Sequence, residues 1–195
     1  MDNPNPYHHR LSLRIKGYDY SKSGMYFVTI CAHDRQHLFG EINDDGLILN
    51  KAGEHAAQCW KEIPGHFPLV ILHDFIIMPN HIHGIIEIIP DKIGVGAENI
   101  QPLRSPGDNI QPLRHNINEF QNVISGSIGS IIRGFKIGVT KWFRTNSDIK
   151  NVWQRNYYEH IIRSKKAYRI ISKYIIQNPE KWKTDKYFSQ NNMRI

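Results

Sequence analysis

The sequence predicts an α+β protein with a ferredoxin-like split βαβ fold, in which helices pack on one side of a central antiparallel sheet. Apolar, β-branched runs and amphipathic helical patterns follow one another in the order β-α-β-β-α-β, and a final helix comes after them. A tight Pro-Asn connection joins the two central runs, which is typical of a hairpin. With 195 residues, of which 40% are hydrophobic, residues 1–195 are expected to form one domain.

The first half of the chain supplies the first strand, a ribbon and a helix. Residues 25–31 are aromatic and β-branched and predict a strand. The runs 38–42 and 47–49 flank an Asp-Gly turn and predict a small hairpin-like ribbon. Asn50 is expected to cap a helix that continues to about Glu62, where a Pro-Gly pair ends it.

The central hairpin is predicted from the runs 69–78 and 82–89. Side chains alternate between the faces of a strand, so His81 and His83 point to one face and Ile82 to the other. Two neutral imidazoles on a rigid backbone can hold a divalent cation. The same His-x-His pattern also arises by chance on half-exposed strands, so the spacing alone leaves both interpretations open.

The second half predicts a helix over 125–143, a last strand within 151–162, and a final helix that Ser164 caps and Pro179 ends at Asn178. On the final helix, one apolar stripe lies beside one basic stripe. The apolar stripe consists of Ala167, Ile170, Ile171, Tyr174 and Asn178, and the basic stripe consists of Lys165, Arg169 and Lys173. By spacing alone, Tyr174 is either a packed aromatic or a functional hydroxyl.

Residues 90–118 differ in composition from the rest of the chain. They are rich in Gly, Pro, Asn and Gln, and the six residues 99–104 recur unchanged at 109–114. Two short proline-rich copies are too few for a solenoid, so we expect a flexible low-complexity insertion. A loop that contacts DNA through Arg104 and Arg114 is the alternative.

Charge favours a nucleic-acid partner. The net charge is +7, and residues 141–186 contain 12 Lys and Arg against 4 Asp and Glu, a local charge of 12 − 4 = +8. Such a patch is the footprint expected of a protein that binds phosphate backbones, although basic surfaces also serve solubility alone. The N-terminus lacks the apolar core of a signal peptide, no run reaches the ~18 apolar residues of a membrane span, and the two cysteines form no Cys-x-x-Cys pair. We therefore expect a cytoplasmic protein with no membrane partner.

Several motifs together resemble one family. Met-Pro-Asn-His-Ile-His at 78–83 is similar to the His-hydrophobic-His signature of HUH endonucleases, and Tyr-Ile-Ile-Gln-Asn-Pro at 174–179 is similar to the nucleophile helix of their single-tyrosine transposases. The segments 13–30 and 153–163 resemble the REP-associated branch of these transposases, in which Asn precedes Pro as it does here.

The resemblance implies an HUH or RRM-like palm fold with a C-terminal catalytic helix. It implies that Tyr174 is the nucleophile and that His81, His83 and Asn178 bind Mg²⁺ or Mn²⁺. The implied activity is that of a DNA transposase and single-stranded DNA endonuclease, which nicks and rejoins DNA beside hairpins through a 5′-phosphotyrosine. Family members include monomers and dimers, so a homodimer is possible. For contacts to the DNA backbone the sequence offers Arg133, Lys136, Lys165, Arg169 and Lys173.

Other functions fit parts of the pattern. A domesticated, non-catalytic protein that binds hairpin DNA would keep the basic patch without needing a metal. An RNA-binding module on the same fold would use exposed aromatic side chains of the sheet. A hydrolase with a water nucleophile would use the histidines and leave Tyr174 dispensable.

Overall fold

The computed structural model of the protein describes residues 23–90 and 126–188. Among these residues, two short 3₁₀ helices, His33–Arg35 and Trp182–Thr184, lie outside the predicted elements. The strands and α-helices follow one another in the order that the sequence predicts, with one additional short α-helix. They are β1 (Gly24–Cys31), β2 (Gly40–Asn43), β3 (Gly46–Leu49), α1 (Lys51–Lys61), α2 (Ile63–His66), β4 (Val70–Ile77), β5 (His81–Ile88), α3 (Ile128–Asn146), β6 (Tyr158–Ile162) and α4 (Lys165–Ile176).

The four longer strands form an antiparallel sheet in the order β4-β5-β1-β6. The first and third strands of this sheet lie in the middle and the second and fourth at its edges, which is the ferredoxin-like arrangement predicted above. β2 and β3 pair separately as a ribbon. β1 lies opposite β5 along its whole length, with Cys31 beside His81 and Gly24 beside Ile88. The start of β5 is therefore fixed against the end of β1.

The larger hydrophobic core lies between one face of the sheet and helices α1 and α3. Tyr26, Val28 and Ile30 of β1 alternate along the strand and are fully buried in this core. Trp60 of α1 lies so close to Gly84 of β5 that a Cβ at Gly84 would overlap the indole ring. Glycine is needed at this point of a central strand because it lets the helix approach the sheet.

Helix α4 covers the opposite face of the sheet. Phe27, Ile85 and Ile162 pack there with Ile175 of α4 in a second, smaller cluster of buried residues. The prediction of helices on one side thus holds for α1 and α3, whereas the last helix lies on the other side. Ile170, expected on the packed stripe, is 60% exposed, because α4 turns the stripe that contains Ile175 towards the sheet.

Two helix caps predicted from sequence are confirmed. The Asn50 side chain accepts a hydrogen bond from the Gly53 N–H at 2.9 Å, and the Ser164 hydroxyl accepts one from the Ala167 N–H at 3.1 Å. Each oxygen satisfies a donor that the first helical turn leaves without a partner. These caps fix where α1 and α4 begin.

The predicted range of α3 and the role predicted for Pro64-Gly65 are wrong. α3 begins only after the cap residue Ser127 and continues to Asn146, so the predicted range 125–143 starts and ends about a turn too early. α1 ends at Lys61 with Glu62 as its C-cap residue, as predicted, but the pair Pro64-Gly65 does not stop the chain from being helical, because both residues lie in the short helix α2. Proline is tolerated in the first turn of a helix, where its missing N–H would have no partner.

Some predictions fall outside the described residues. The insertion predicted over residues 90–118 lies there apart from residue 90, so it stays a prediction, as does the single domain over residues 1–195. None of the described helices has both the length and the apolar character that crossing a membrane requires.

Candidate functional site

Two buried imidazoles lie at the start of β5. The three residues 78–80 form the turn from β4 to β5, and the Met78 N–H closes it by donating to the His81 carbonyl at 2.8 Å. His81 and His83 share the face of the sheet that α4 covers, as the alternation predicts, and their ring centres are 4.5 Å apart. Both side chains are fully buried. The hairpin therefore brings two imidazoles together in a pocket under α4.

The side chain of Asn80 determines which ring nitrogen of His81 carries the proton. Asn80 Nδ2 donates to the carbonyls of Arg35 and Tyr187 at 3.2 and 2.9 Å, so its Oδ1 is left to accept a hydrogen bond. That oxygen lies 2.8 Å from His81 Nδ1. His81 therefore carries its proton on Nδ1 and keeps a lone pair on Nε2. This buried Nε2 has no hydrogen-bond partner among the described residues.

Thr29 and Tyr174 flank the ring of His83. Its Nδ1 lies 2.9 Å from the Thr29 hydroxyl in the neighbouring strand β1. Its Nε2 lies 3.2 Å from the hydroxyl of Tyr174 on α4. The predicted nucleophile is thus in direct contact with one of the predicted ligands.

Asn178, which follows α4, is 1% exposed and completes the predicted set. Its Nδ2 donates to Asp185 Oδ2 at 3.0 Å, while its Oδ1 is buried without a partner among the described residues. All four predicted site residues, Tyr174, His81, His83 and Asn178, therefore meet in one pocket.

Sequence reasoning missed Asp185. One ligand atom of Asp185 and one from each of His81 and His83 lie within 4.8 Å of one another. The Asp185 Oδ2 also accepts a hydrogen bond from the Tyr174 hydroxyl at 3.3 Å. The one signal in the sequence was an acidic residue within the basic run 181–186, a pattern that is common without any function.

The residue after next, Tyr187, covers the two histidines. Its ring centre lies 4.7 Å from that of His81 and 5.7 Å from that of His83. Its backbone N–H donates to Asp185 Oδ1 at 2.6 Å. The segment after α4 therefore forms one wall of the pocket.

Burial sets the protonation of the pocket. It lowers the pKa of His81 to about 4, with smaller lowering effects from Lys186 and Arg35. Burial also holds the pKa of His83 well below its usual value, and the neighbouring His81 lowers it further. The pKa of the Tyr174 phenol is raised by burial and by the Asp185 carboxylate. At neutral pH the imidazoles are neutral, which is the form that binds metals, and the phenol is protonated.

The donor set fits a divalent cation. Two buried acceptor atoms, His81 Nε2 and Asn178 Oδ1, have no donor among the described residues, and each buried acceptor without a partner costs free energy. Imidazole nitrogen and amide oxygen both bind divalent cations, and a carbonyl oxygen is a ligand that suits Mg²⁺ and Mn²⁺. A cation bound by these atoms would satisfy both.

The predicted DNA contacts fall into two groups that the structure does not bring together. Lys165, Arg169 and Lys173 are exposed on α4, the helix that carries Tyr174. Arg133 and Lys136 lie on α3, on the other side of the sheet, where they line a cavity of about 430 Å³.

Lys136 differs from the other predicted DNA contacts. Its ammonium donates to the carbonyls of Gln154 and Asn156 at 3.1 and 2.7 Å and lies over the Trp153 ring. Burial lowers its pKa to about 8. These contacts favour a structural role, in which Lys136 holds the segment before β6.

Comparison with known proteins gives one relative of high identity. A Haemophilus influenzae protein that has no described function is 46% identical to this chain over 181 residues, which are 93% of this chain and 94% of that protein. No protein-family model matches the chain.

Among solved structures, a REP-associated tyrosine transposase bound to a REP hairpin is similar, with a TM-score of 0.53, 21% identity, and coverage of 87% of this chain and 74% of that one. A candidate transposase from Deinococcus radiodurans R1 has a TM-score of 0.42 and 13% identity, with coverage of 84% of this chain and 95% of that one.

The resemblance to single-tyrosine transposases is thus confirmed in the fold. The chain belongs to the same family as the Haemophilus influenzae protein, and it has the fold of a REP-associated tyrosine transposase.

Proposed function

We propose that the protein is a metal-dependent tyrosine transposase that nicks and rejoins single-stranded DNA beside hairpins. One observation carries the proposal: the Tyr174 hydroxyl lies 3.2 Å from His83 Nε2, in a pocket where buried acceptor atoms face no donor among the described residues. A hydroxyl beside a metal-binding pocket is the arrangement that phosphoryl transfer to a tyrosine requires. A hydrophobic packing role for Tyr174 would need neither the histidines nor the unpaired amide oxygen of Asn178.

The residues that would hold the cation are His81, His83 and Asn178. Mg²⁺ or Mn²⁺ bound there would offset the negative charge that develops on the scissile phosphate. Neutral imidazoles make the two nitrogens available at physiological pH, since burial holds the pKa of His81 at about 4. The hydrogen bond from His81 Nδ1 to Asn80 orients the ring so that Nε2 faces the pocket.

The chemical step is a displacement at phosphorus. The Tyr174 oxygen forms a bond to the phosphorus, the bond from phosphorus to the 3′ oxygen breaks, the phenol releases its proton, and the 3′ oxygen takes one up. The products are a 5′-phosphotyrosine and a free 3′-hydroxyl. Attack by a second 3′-hydroxyl reverses the step, restores the phenol and joins the strands. The phosphotyrosine conserves the energy of the broken bond, so no nucleotide cofactor is required.

Two features support DNA as the substrate. The chain carries a net charge of +7, and Lys165, Arg169 and Lys173 are exposed on the helix of Tyr174, where they can contact phosphates on either side of the cleaved bond. The similar solved structure was determined with a REP hairpin bound. A single strand next to a hairpin would place an unpaired phosphate at Tyr174.

A gel assay tests the proposal. Labelled hairpin oligonucleotides with single-stranded flanks are incubated with the protein and Mn²⁺ and separated on denaturing gels, beside Tyr174→Phe and Tyr168→Phe. Tyr168 is the matched control, because it lies on the same helix and its ring packs against His73 instead of the site. We expect a covalent adduct with the parent and with Tyr168→Phe, and none with Tyr174→Phe or with EDTA.

Other results would assign a different function. Cleavage without an adduct, unaffected by Tyr174→Phe, would indicate a hydrolase with a water nucleophile. Binding of the hairpins without cleavage by any variant would indicate a domesticated protein that binds hairpin DNA or RNA.

A further inference from the structure

Asp185 contributes a carboxylate to the same pocket from a separate part of the chain. Its Oδ2 faces the site, where it accepts hydrogen bonds from Asn178 Nδ2 at 3.0 Å and from the Tyr174 hydroxyl at 3.3 Å. Its Oδ1 accepts a hydrogen bond from the Tyr187 N–H at 2.6 Å. Oδ1 therefore holds the segment after α4 in place, and Oδ2 faces the other polar groups of the pocket.

The side chain of Asn80 helps to position both Asp185 and His81. The Asn80 amide that orients His81 also donates to the Tyr187 carbonyl, two residues after Asp185, at 2.9 Å. The ring of Tyr187 then lies against His81 at 4.7 Å between ring centres. The Asn80 side chain therefore orients the His81 imidazole and also holds the segment that carries the Asp185 carboxylate.

No lysine or arginine of the described residues pairs directly with the Asp185 carboxylate. The atoms His81 Nε2 and Asn178 Oδ1 add two more buried lone pairs without donors in the described part of the chain. A half-buried carboxylate beside two buried, unpaired acceptors is costly unless a cation lies between them. A single cation between these groups would pair with the carboxylate and with both unpaired acceptors.

We propose that Asp185 is a fourth metal ligand, which binds the cation through Oδ2 beside His81, His83 and Asn178. This inference rests on the proposed metal-dependent function and names a ligand beyond the set that the family resemblance implies. Two nitrogens, one amide oxygen and one carboxylate oxygen leave positions open for a phosphate in an octahedral shell. The carboxylate adds negative charge and a hard oxygen, both of which favour Mg²⁺ or Mn²⁺. Oδ1 keeps its hydrogen bond from the Tyr187 N–H when the cation is bound.

The alternative is that Asp185 acts only as an anchor for Tyr174 and Asn178. Metal binding without DNA separates the two roles, because an anchor affects folding and a ligand affects affinity for the ion. Mn²⁺ is titrated into the DNA-free, full-length protein and followed by calorimetry and by the loss of the free-ion EPR signal. The variants are Asp185→Asn, which removes the charge and keeps an acceptor for Tyr187, and His81→Ala as a positive control.

Asp74→Asn is the matched control for the loss of one carboxylate charge. Asp74 also accepts a hydrogen bond from α4, from the Ser172 hydroxyl at 2.6 Å. It does not belong to the group of side chains that could hold a cation, which consists of His81, His83 and Asp185 among the described residues. We expect Asp185→Asn to weaken Mn²⁺ binding about tenfold or more, an effect at least as large as that of losing a residue that orients a ligand. Asp74→Asn should bind Mn²⁺ as the parent does.

The rise in unfolding temperature on adding Mn²⁺ gives a second readout that tolerates a less stable variant. Each variant is compared with itself in EDTA, so a general loss of stability cancels. A smaller rise in unfolding temperature for Asp185→Asn than for Asp74→Asn supports Asp185 as a metal ligand.

The remaining outcomes separate this inference from the proposed function. If His81→Ala abolishes Mn²⁺ binding and Asp185→Asn binds as tightly as the parent, Asp185 is only an anchor and the three-ligand site stands. If the parent binds neither Mn²⁺ nor Mg²⁺, the inference and the metal-dependent function both fail.

Discussion

Asn80 determines which nitrogen of His81 carries the proton, because its Oδ1 accepts from His81 Nδ1 at 2.8 Å while its Nδ2 is committed to two carbonyls. Asn80→Ala should therefore weaken Mn²⁺ binding by about 10 to 100-fold, since a residue that orients a metal ligand commonly contributes that much. Titration with Mn²⁺ measures it. Asn80→Asp keeps the acceptor and loses the donors, so it should retain more affinity than Asn80→Ala. Equal affinity for the parent and Asn80→Ala would show that the turn alone orients His81.

The stability of the metal-free protein should fall in mild acid because of His81. Burial, Lys186 and Arg35 lower its pKa to about 4, against the partial opposition of Asp185 and Asn178, whereas an exposed imidazole has a pKa of 6.5. Between these values the unfolded chain binds a proton that the folded chain does not. The free energy of unfolding therefore decreases as the pH falls from 6.5 towards 4, by about 3 kcal/mol from this group at most.

Urea unfolding in EDTA at a series of pH values measures this loss. His81→Gln removes the titrating group, so the variant should lose less stability than the parent over the same range. Parallel curves for the two proteins would mean that other groups cause the acid sensitivity.

Gly84 should tolerate no side chain. A Cβ there would overlap the ring of Trp60, which is fully buried and cannot move without disturbing the core. Gly84→Ala should destabilise the protein by about 1–3 kcal/mol, as overpacking of a core commonly does. Gly65→Ala is the control, since a Cβ at Gly65 meets no atom within 4 Å. Thermal unfolding of both variants tests the difference, and equal unfolding temperatures would contradict the close packing of α1 on β5.

Lys136 and Lys173 should respond differently to substitution by methionine. Lys136→Met removes a charged donor from the carbonyls of Gln154 and Asn156, so we expect a loss of about 1–2 kcal/mol of stability. Lys173 is exposed, and Lys173→Met should leave stability unchanged and reduce the salt dependence of DNA binding by about one phosphate contact. Thermal unfolding and binding at several salt concentrations separate the two effects. If Lys136→Met reduced the salt dependence of DNA binding and left the stability unchanged, Lys136 would be a DNA contact after all.

The features that the sequence predicts correctly follow from local rules. Strand alternation places His81 and His83 on one face, and the caps Asn50 and Ser164 locate the starts of two helices, because each signal involves only neighbouring residues. The ferredoxin-like strand order follows from the order of the elements along the chain. In each case a short stretch of residues specifies the outcome.

The features that the sequence does not predict depend on packing between distant segments. Asp185 reaches the histidines only because the chain after α4 turns back over the start of β5, and no spacing encodes that path. Lys136 sits at a polar position of an amphipathic helix, and the pattern cannot distinguish a solvated ammonium from one held by carbonyls. Which face of the sheet α4 covers is also decided by tertiary contacts, since an apolar stripe on a helix does not specify the face of the sheet against which it packs.

The helix that carries Tyr174 rests on its own small apolar cluster, on the far side of the sheet from the larger core. A few buried contacts hold a unit of this kind, so its detachment costs much less free energy than global unfolding. Amide hydrogens of α4 are therefore expected to exchange with solvent well before those of β1 and α3. Gentle warming would move the nucleophile away from the histidines while the rest of the molecule is still folded, so cleavage should be lost at a lower temperature than the bulk of the secondary structure.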